Sequence, residues 1–334
     1  MERLERTVGS LAEEKRFSGV VRVDRGGDIE LEAAFGLAER GLGVENGVGT
    51  RFGVASATKG LTALTVMRLV EAGVLTLDTA VRPVLGEDLP EVDDRVTVEQ
   101  LLAHRSGIGD YIDEDAGGEP TDYVLPVPVH ALADTESYLT VLTGHPQKYP
   151  PGERFSYCNS GYVVLALVAA RATGTGFHEL VERHVTGPAG MVDTAFLRSD
   201  ELPGSAARGY LETQGLRTNV LHLPVRGSGD GGVYSTVADV HRLWRAMLGG
   251  DIVGAEQVAE MLRPRSDVPE ERRRYGLGFW LHATRDAVLL EGLDAGVSFR
   301  SVHDPSTDTT FTVVSNTTFG AWPLARLLGE TLLD

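Results

Sequence analysis

Lysine is scarce in this chain: of 334 residues only Lys15, Lys59 and Lys148 carry a side-chain amine, and the rest of the positive charge is arginine. Arginine keeps its charge at neutral pH, so an amine base can come from these three positions alone. Cysteine is scarcer still. Cys158 stands by itself, which excludes an internal disulfide, argues against a cysteine-based metal site and suits a reducing compartment. No long run of lysine or arginine offsets the formal net charge of -17, so binding to nucleic acid or to an anionic membrane surface is not expected. A small neutral ligand suits this charge better. No apolar stretch approaches the roughly 20 residues of a membrane span, and the longest, Val163 to Ala170, runs into Arg171. The opening residues Met1-Glu2-Arg3-Leu4-Glu5-Arg6 are charged and lead into an amphipathic helix instead of the unbroken apolar stretch of an export signal. The expectation is a cytoplasmic protein with no membrane anchor. Gly-x-Ser-x-Gly, His-Glu-x-x-His and Walker phosphate-loop signatures are also missing, which leaves an α/β-hydrolase, a zincin and a P-loop nucleotidase unsupported. Neither a cofactor nor a metal is expected.

What is present is a chain able to bury a large core, with 42% hydrophobic and 24% charged residues and no repeat or low-complexity linker to divide it. Gly19-Val20-Val21-Arg22-Val23 and Ile29-Glu30-Leu31-Glu32-Ala33 read as strands joined by the hairpin signal Asp24 to Asp28. From Ser56 the spacing of Leu61, Leu64, Met67 and Val70 predicts a helix that Gly73 can end, and further helices are expected from Ser160 to Ala172 and from Thr236 to Leu248. The middle of the chain reads as mostly helical. Strands return at Leu277 to Leu281, Ala287 to Glu291, Val297 to His303 and Thr309 to Val314. Strands at both ends with helices between them point to an α/β (α+β) fold: one antiparallel sheet assembled from the two ends, with a helical part inserted.

Two motifs carry chemistry. Ser56-Ala57-Thr58-Lys59 lies at the start of a predicted helix, and the i, i+3 spacing puts both side chains on one face, so the amine can reach the hydroxyl. A serine hydroxyl is a poor nucleophile until a neighbouring base takes its proton, and a lysine does so only where burial favours its neutral form. Backbone N–H groups at a helix start can serve an oxyanion. Serine followed by lysine at this spacing also arises by chance, but here it occurs at one of only three lysines. The second motif, Tyr157-Cys158-Asn159, precedes an apolar helix. A tyrosine beside a lysine can shuttle a proton, and the asparagine amide can hold a substrate carbonyl; a core tyrosine with a helix-capping asparagine is the competing reading.

Taken together, Ser-x-x-Lys and the later Tyr-x-Asn resemble the class C β-lactamase and penicillin-binding-protein-like serine hydrolases. Further segments resemble the same family in the same order: Leu101-Leu102-Ala103-His104-Arg105-Ser106-Gly107-Ile108, Pro188-Ala189-Gly190-Met191, Gly231-Gly232-Val233-Tyr234-Ser235-Thr236 and Tyr275-Gly276-Leu277-Gly278. The resemblance implies a β-lactamase/transpeptidase-like fold in one catalytic domain over 1–334. Its sheet subdomain would draw on 1–55 and 230–334, its helical subdomain on 56–229, with the site in the groove between them. It makes Ser56 the nucleophile, Lys59 its base and Tyr157 the partner in proton transfer, with Asn159 in substrate binding. It makes His104 structural and the glycine-rich run Gly227 to Gly232 a loop before a helix. Cys158 reads as a small buried filler.

The family's third motif, Lys-Thr-Gly or His-x-Gly on a strand edging the site, falls on Leu290-Glu291-Gly292, with Gly296 on the next family glycine. The cation is missing. The strand still offers the backbone N–H of Leu293, next to Gly292, as an oxyanion donor beside that of Ser56. Arg300 reads as a solvated surface residue. Glu291, if it faces the groove, would repel a substrate carboxylate; if strand alternation turns it away, only the cation is lost. The resemblance thus implies a serine hydrolase of esterase or amidase type acting on a small ester or amide, with weak or no β-lactamase activity. An acyltransferase of secondary metabolism and an inert or acyl-trapping sensor are the alternatives.

Overall fold

The computed structural model describes residues 2–114 and 117–333; Met1, at the charged start of the chain, lies outside the described residues. The N-terminal hairpin pairs Gly19–Arg25 with Asp28–Phe35. Its turn residues Gly26 and Gly27 have φ of 58° and 85°, the left-handed conformations that a two-residue hairpin needs to match strand twist. Alternation along the first strand then decides its packing. Val21 and Val23 face a cluster with Val8, Ala12, Leu324 and Leu328, supplied by the terminal helices Glu2–Glu14 and Trp322–Leu332. Arg22 and Asp24 face the other way, toward the helix Val237–Gly249, where His241 Nδ1 lies 2.9 Å from Asp24 Oδ2.

Among the described residues, eight strands form one antiparallel sheet in the order Asp28–Phe35, Gly19–Arg25, Thr309–Ser315, Val297–Asp304, Val288–Asp294, Trp280–His282, Arg273–Tyr275 and Ser266–Val268. The first strand sits beside the last, with Val20 opposite Val314, so the two ends of the chain build the sheet together. The helices Thr58–Glu71 and Asn159–Thr173 pack on each other away from the terminal helices, in the larger core cluster. Residues Val163 to Ala169 are all at most 1% exposed. A helix apolar on every side is a core helix, and among the described residues none is long and apolar enough to cross a membrane.

The helices begin and end where their sequence signals place them: Thr236 accepts the Asp239 N–H at 3.1 Å as a cap, and Gly174 and Gly250 close their helices in the left-handed conformation. Two expectations need correction. The middle of the chain is not mostly helical. Between Leu102 and Asn159 and again between Thr186 and Tyr234 it runs largely as loops with short turns, because prolines such as Pro120, Pro126, Pro128, Pro150 and Pro151 interrupt any helical register. The strand expected from Leu277 begins only at Trp280: Gly278 has φ 87°, and a Cβ there would come within 2.2 Å of the Ala63 Cβ. Two short strands, Ser266–Val268 and Arg273–Tyr275, extend the far edge unannounced, because three-residue charged segments carry no readable alternation.

Candidate active site

Ser56 sits in a tight turn, Ala55–Ala57, between the short strand Phe52–Gly53 and the helix Thr58–Glu71. Ala55 has φ 47°, a left-handed conformation that costs a non-glycine residue on the order of 1 kcal/mol and that the surroundings must impose. One turn further on, Lys59 is 2% exposed. Its Nζ lies 2.9 Å from Ser56 Oγ, 2.8 Å from Asn159 Oδ1 and 2.9 Å from the Asp230 carbonyl oxygen. The asparagine and the carbonyl fix two of the three directions open to the amine, and the third points at the serine hydroxyl.

Tyr157 joins this pair from the second motif, its ring centroid 4.9 Å from Lys59 Nζ. Burial and the charge of Glu114 push its hydroxyl well above 10, while hydrogen bonding to Ser56 pulls the other way. The tyrosine therefore holds its proton at neutral pH. Its ring rests on His104, with centroids 4.3 Å apart. His104 is 1% exposed, its Nδ1 accepts the Cys158 N–H at 3.0 Å, and burial followed by Lys59 lowers its pKa well below 6.5. It is a neutral strut under the tyrosine. Cys158 is buried, and burial raises its thiol.

The loop carrying Tyr157 is anchored by residues that no sequence motif flagged. Asp110 accepts the backbone N–H of Asn159 at 2.7 Å and of Ser160 at 2.9 Å, capping the helix Asn159–Thr173 from far away in sequence. Tyr111 donates its hydroxyl to Asp230 Oδ2 at 2.6 Å, tying the glycine-rich run to the same anchor. That run is a backbone latch beneath the lysine: Gly229 O accepts the Thr62 hydroxyl at 2.6 Å, and a Cβ on Gly229 would fall 2.0 Å from Tyr162 O. Asn159 is brought to the site, but its amide is committed to the protein. The oxygen takes the lysine, and the nitrogen donates to Ile112 O at 3.0 Å and Glu114 Oε1 at 3.3 Å. Both amide hydrogens are used there, so the expected contact with a substrate carbonyl has no donor left.

The strand Val288–Asp294 closes the other side. A Cβ on Gly292 would lie 2.2 Å from Val54 O and 2.9 Å from Ser56 N, so only glycine lets the strand approach the turn bearing Ser56. Asp294 and Val297 close the hairpin across Ala295-Gly296; in a two-residue hairpin this pair is hydrogen-bonded, and by alternation the backbone of Leu293 points away from the partner strand, to the open edge. On the other side Trp280–His282 pairs only with Val288 and Leu289, which leaves that edge facing the groove.

Side-chain alternation decides between the two orientations open to Glu291 and corrects the expectation for Arg300. Leu290 points inward, so that a Cβ on Gly60 would meet its Cδ2 at 2.6 Å. Glu291 therefore points to the opposite face, where its Oε2 accepts from Arg273 at 3.0 Å and from Arg300, its cross-strand partner, at 2.5 Å. Against burial, which pushes it up, the two guanidiniums hold the Glu291 carboxyl below its ordinary value. Its charge is thus met within the protein and is not a free repulsive charge in the groove. Arg300 is half-buried in this pair and against Trp322, its guanidinium carbon 5.3 Å from the ring centroid, and is not a solvated surface arginine.

Ser56, Tyr157, Asn159, Asp230, Gly292 and Leu293 line one groove of about 1280 Å³, with Lys59 buried beneath it. A family model described as Beta-lactamase matches residues 4–331. The chain belongs to the β-lactamase family. Members of this family are serine hydrolases of the β-lactamase and penicillin-binding-protein type. Among its relatives, the chain is 31% identical to Esterase EstB of Burkholderia gladioli over 85% of its own length and 80% of that protein's. It is 27% identical to putative penicillin-binding protein PbpX of Bacillus subtilis over 82% of its length and 64% of the relative's. In fold it is similar to the crystal structure of a penicillin-binding protein from Bacillus halodurans, with a TM-score of 0.91, 33% identity and coverage of 97% and 100% of the two chains.

Proposed function

We propose that this member of the family is a serine hydrolase of esterase or amidase type that works through an acyl-enzyme on Ser56. The observation that carries the reading is the amine of Lys59, held by Asn159 and Asp230 so that its remaining direction meets Ser56 Oγ at 2.9 Å. In the proposed reaction Ser56 Oγ bonds to the carbonyl carbon of an ester or amide and its proton passes to Lys59 Nζ. The carbonyl oxygen takes up negative charge between the N–H groups of Ser56 and Leu293, where preorganised donors are worth several kcal/mol. As the bond to the leaving group breaks, Lys59 and the protonated Tyr157 relay the proton to the departing oxygen or nitrogen. Water then repeats the sequence in reverse, releasing the acid and restoring the serine hydroxyl.

Neutral short-chain esters suit the groove better than β-lactams or peptides with a free carboxylate. Leu290 stands where the family carries a cation, and Arg273 and Arg300 are both engaged by Glu291. Similarity to an esterase over most of the chain supports the same choice. The test is a panel of p-nitrophenyl acetate and butyrate, nitrocefin and D-amino-acid amides against wild type and Ser56→Ala. Ester kcat/KM well above that for nitrocefin, lost in the alanine variant, is expected; efficient nitrocefin turnover with negligible ester hydrolysis would contradict the reading.

A further inference from the structure

Several acids stand near Lys59, and nearly all are occupied. Asp110 caps a helix, Asp230 accepts from Tyr111, Glu114 accepts from Asn159, and Glu291 is held by two arginines. Asp294 is different. Among the described residues its carboxylate has no hydrogen-bonding or ionic partner, although its backbone is held in the hairpin opposite Val297. The hairpin tip beside it is fixed by Asn219 donating to Ala295 O at 2.9 Å and by Gly296 N donating to Thr318 Oγ1 at 2.9 Å. Gly296 also packs so closely on Gly209 that a Cβ would lie 2.8 Å from the Gly209 carbonyl carbon. The side chain therefore has no part in holding the strand, and the strand holds the side chain in a set place.

That place is beside the nucleophile. Asp294 follows Gly292 by two residues on the same strand face, about 7 Å along the strand, and Gly292 abuts Ser56 N. A Cβ added to Gly231 would lie 3.8 Å from Ala55 O and 3.9 Å from Asp294 Oδ2, so the carboxylate reaches toward the turn that carries Ser56. Burial raises this carboxyl, Lys59 pulls it down and Asp230 and Glu114 push it up, which together bring it to about 7. An incoming cation would relieve that repulsion.

On the reading that Ser56 is acylated, we propose that Asp294 is a specificity-determining residue that binds an ammonium group on the acyl side of the substrate, so that the groove prefers amino-acyl esters or amides to their uncharged counterparts. An acyl carbonyl seated at Ser56 places an α-ammonium within reach of a carboxylate two residues along the strand. Among the described residues, Asp294 alone of these five acids accepts no hydrogen bond from the protein.

The matched pair is alanine benzyl ester, in both enantiomers, and benzyl propionate, each rate divided by its uncatalysed hydrolysis rate to remove the activating effect of the ammonium. The ratio of kcat/KM for the amino ester to that for propionate is measured in wild type, Asp294→Asn and Asp294→Ala, with Ser56→Ala as the blank. The expected ratio in wild type, for one enantiomer at least, is roughly 10 to 100, the worth of a hydrogen-bonded charge pair, collapsing toward one in both Asp294 variants. A wild-type ratio near one for both enantiomers, or a high ratio that survives both substitutions, overturns the proposal while Ser56-dependent propionate hydrolysis leaves the serine hydrolase reading standing. Wild-type rates no greater than those of Ser56→Ala on every ester would overturn both.

Discussion

At the scale of single residues the site turns on Lys59, because the chain holds few amines and this one alone lies within a helical turn of a serine on the same face. Arginine at this position keeps a positive charge but cannot be deprotonated in a protein, so the substitution separates a base from an electrostatic anchor. Lys59→Arg is expected to lower kcat on p-nitrophenyl esters by roughly 10³-fold or more, the scale of losing a catalytic proton acceptor. Retention of more than a tenth of the wild-type rate would show that the lysine serves only as a charge. This residue was legible in the sequence because its partnership is local. Asp110 was not: an isolated aspartate has no signature when the N–H groups it caps belong to Asn159 and Ser160. The Glu291 pairing with Arg273 and Arg300 was hidden for the same reason, since it needs both the strand register and the face on which each side chain falls.

At the scale of elements, the strand Val288–Asp294 does three things through alternation: Leu290 packs inward, Glu291 pairs outward, and Gly292 admits the turn bearing Ser56. Gly292→Ala would place a methyl 2.2 Å from Val54 O and force strand and turn apart. A shift of about 1 Å in such a site costs on the order of 100-fold in rate. The expected result is a fall of that order in kcat, with a loss of stability of about 1–3 kcal/mol from overpacking. Gly329→Ala, in the helix Trp322–Leu332 where a Cβ meets nothing within 4 Å, serves as the control and should leave kcat unchanged and stability the same or up to about 1 kcal/mol higher, since alanine favours a helix; equal behaviour of the two variants would refute the steric argument. The helices and the hairpin were legible because caps, glycines and periodicity are local signals, whereas the loops of the middle and the short edge strands take their shape from distant contacts.

For the whole molecule, the first and last strands must meet before the groove exists, and a buried polar cluster lies beneath that junction. Arg22 donates to Asp24 at 2.8 Å and to Glu32 at 2.8 Å, with His241 above. Burial pushes the Asp24 carboxyl up, but its contacts with His241 and Arg22 outweigh it and bring the group from 3.8 to about 2. A carboxyl lowered on folding contributes stability above its unfolded pKa, and loses it as pH falls through the folded one. At pH 6 the contribution is on the order of 2 kcal/mol. Urea unfolding of wild type and Asp24→Asn should therefore show a stability gap at pH 6 that is already narrower at pH 3; a gap independent of pH would remove Asp24 titration from the account.

The same junction sets Val288–Asp294 against the turn bearing Ser56, and the central claim is that this one serine becomes acylated. Wild type, Ser56→Ala and Lys59→Arg are treated with a fluorophosphonate probe, and the modified residue is located by peptide mass mapping. Stoichiometric labelling of wild type at Ser56 alone, no labelling of Ser56→Ala and strongly slowed labelling of Lys59→Arg are expected. Labelling at another residue, or undiminished labelling of the Ser56→Ala protein, would contradict that claim.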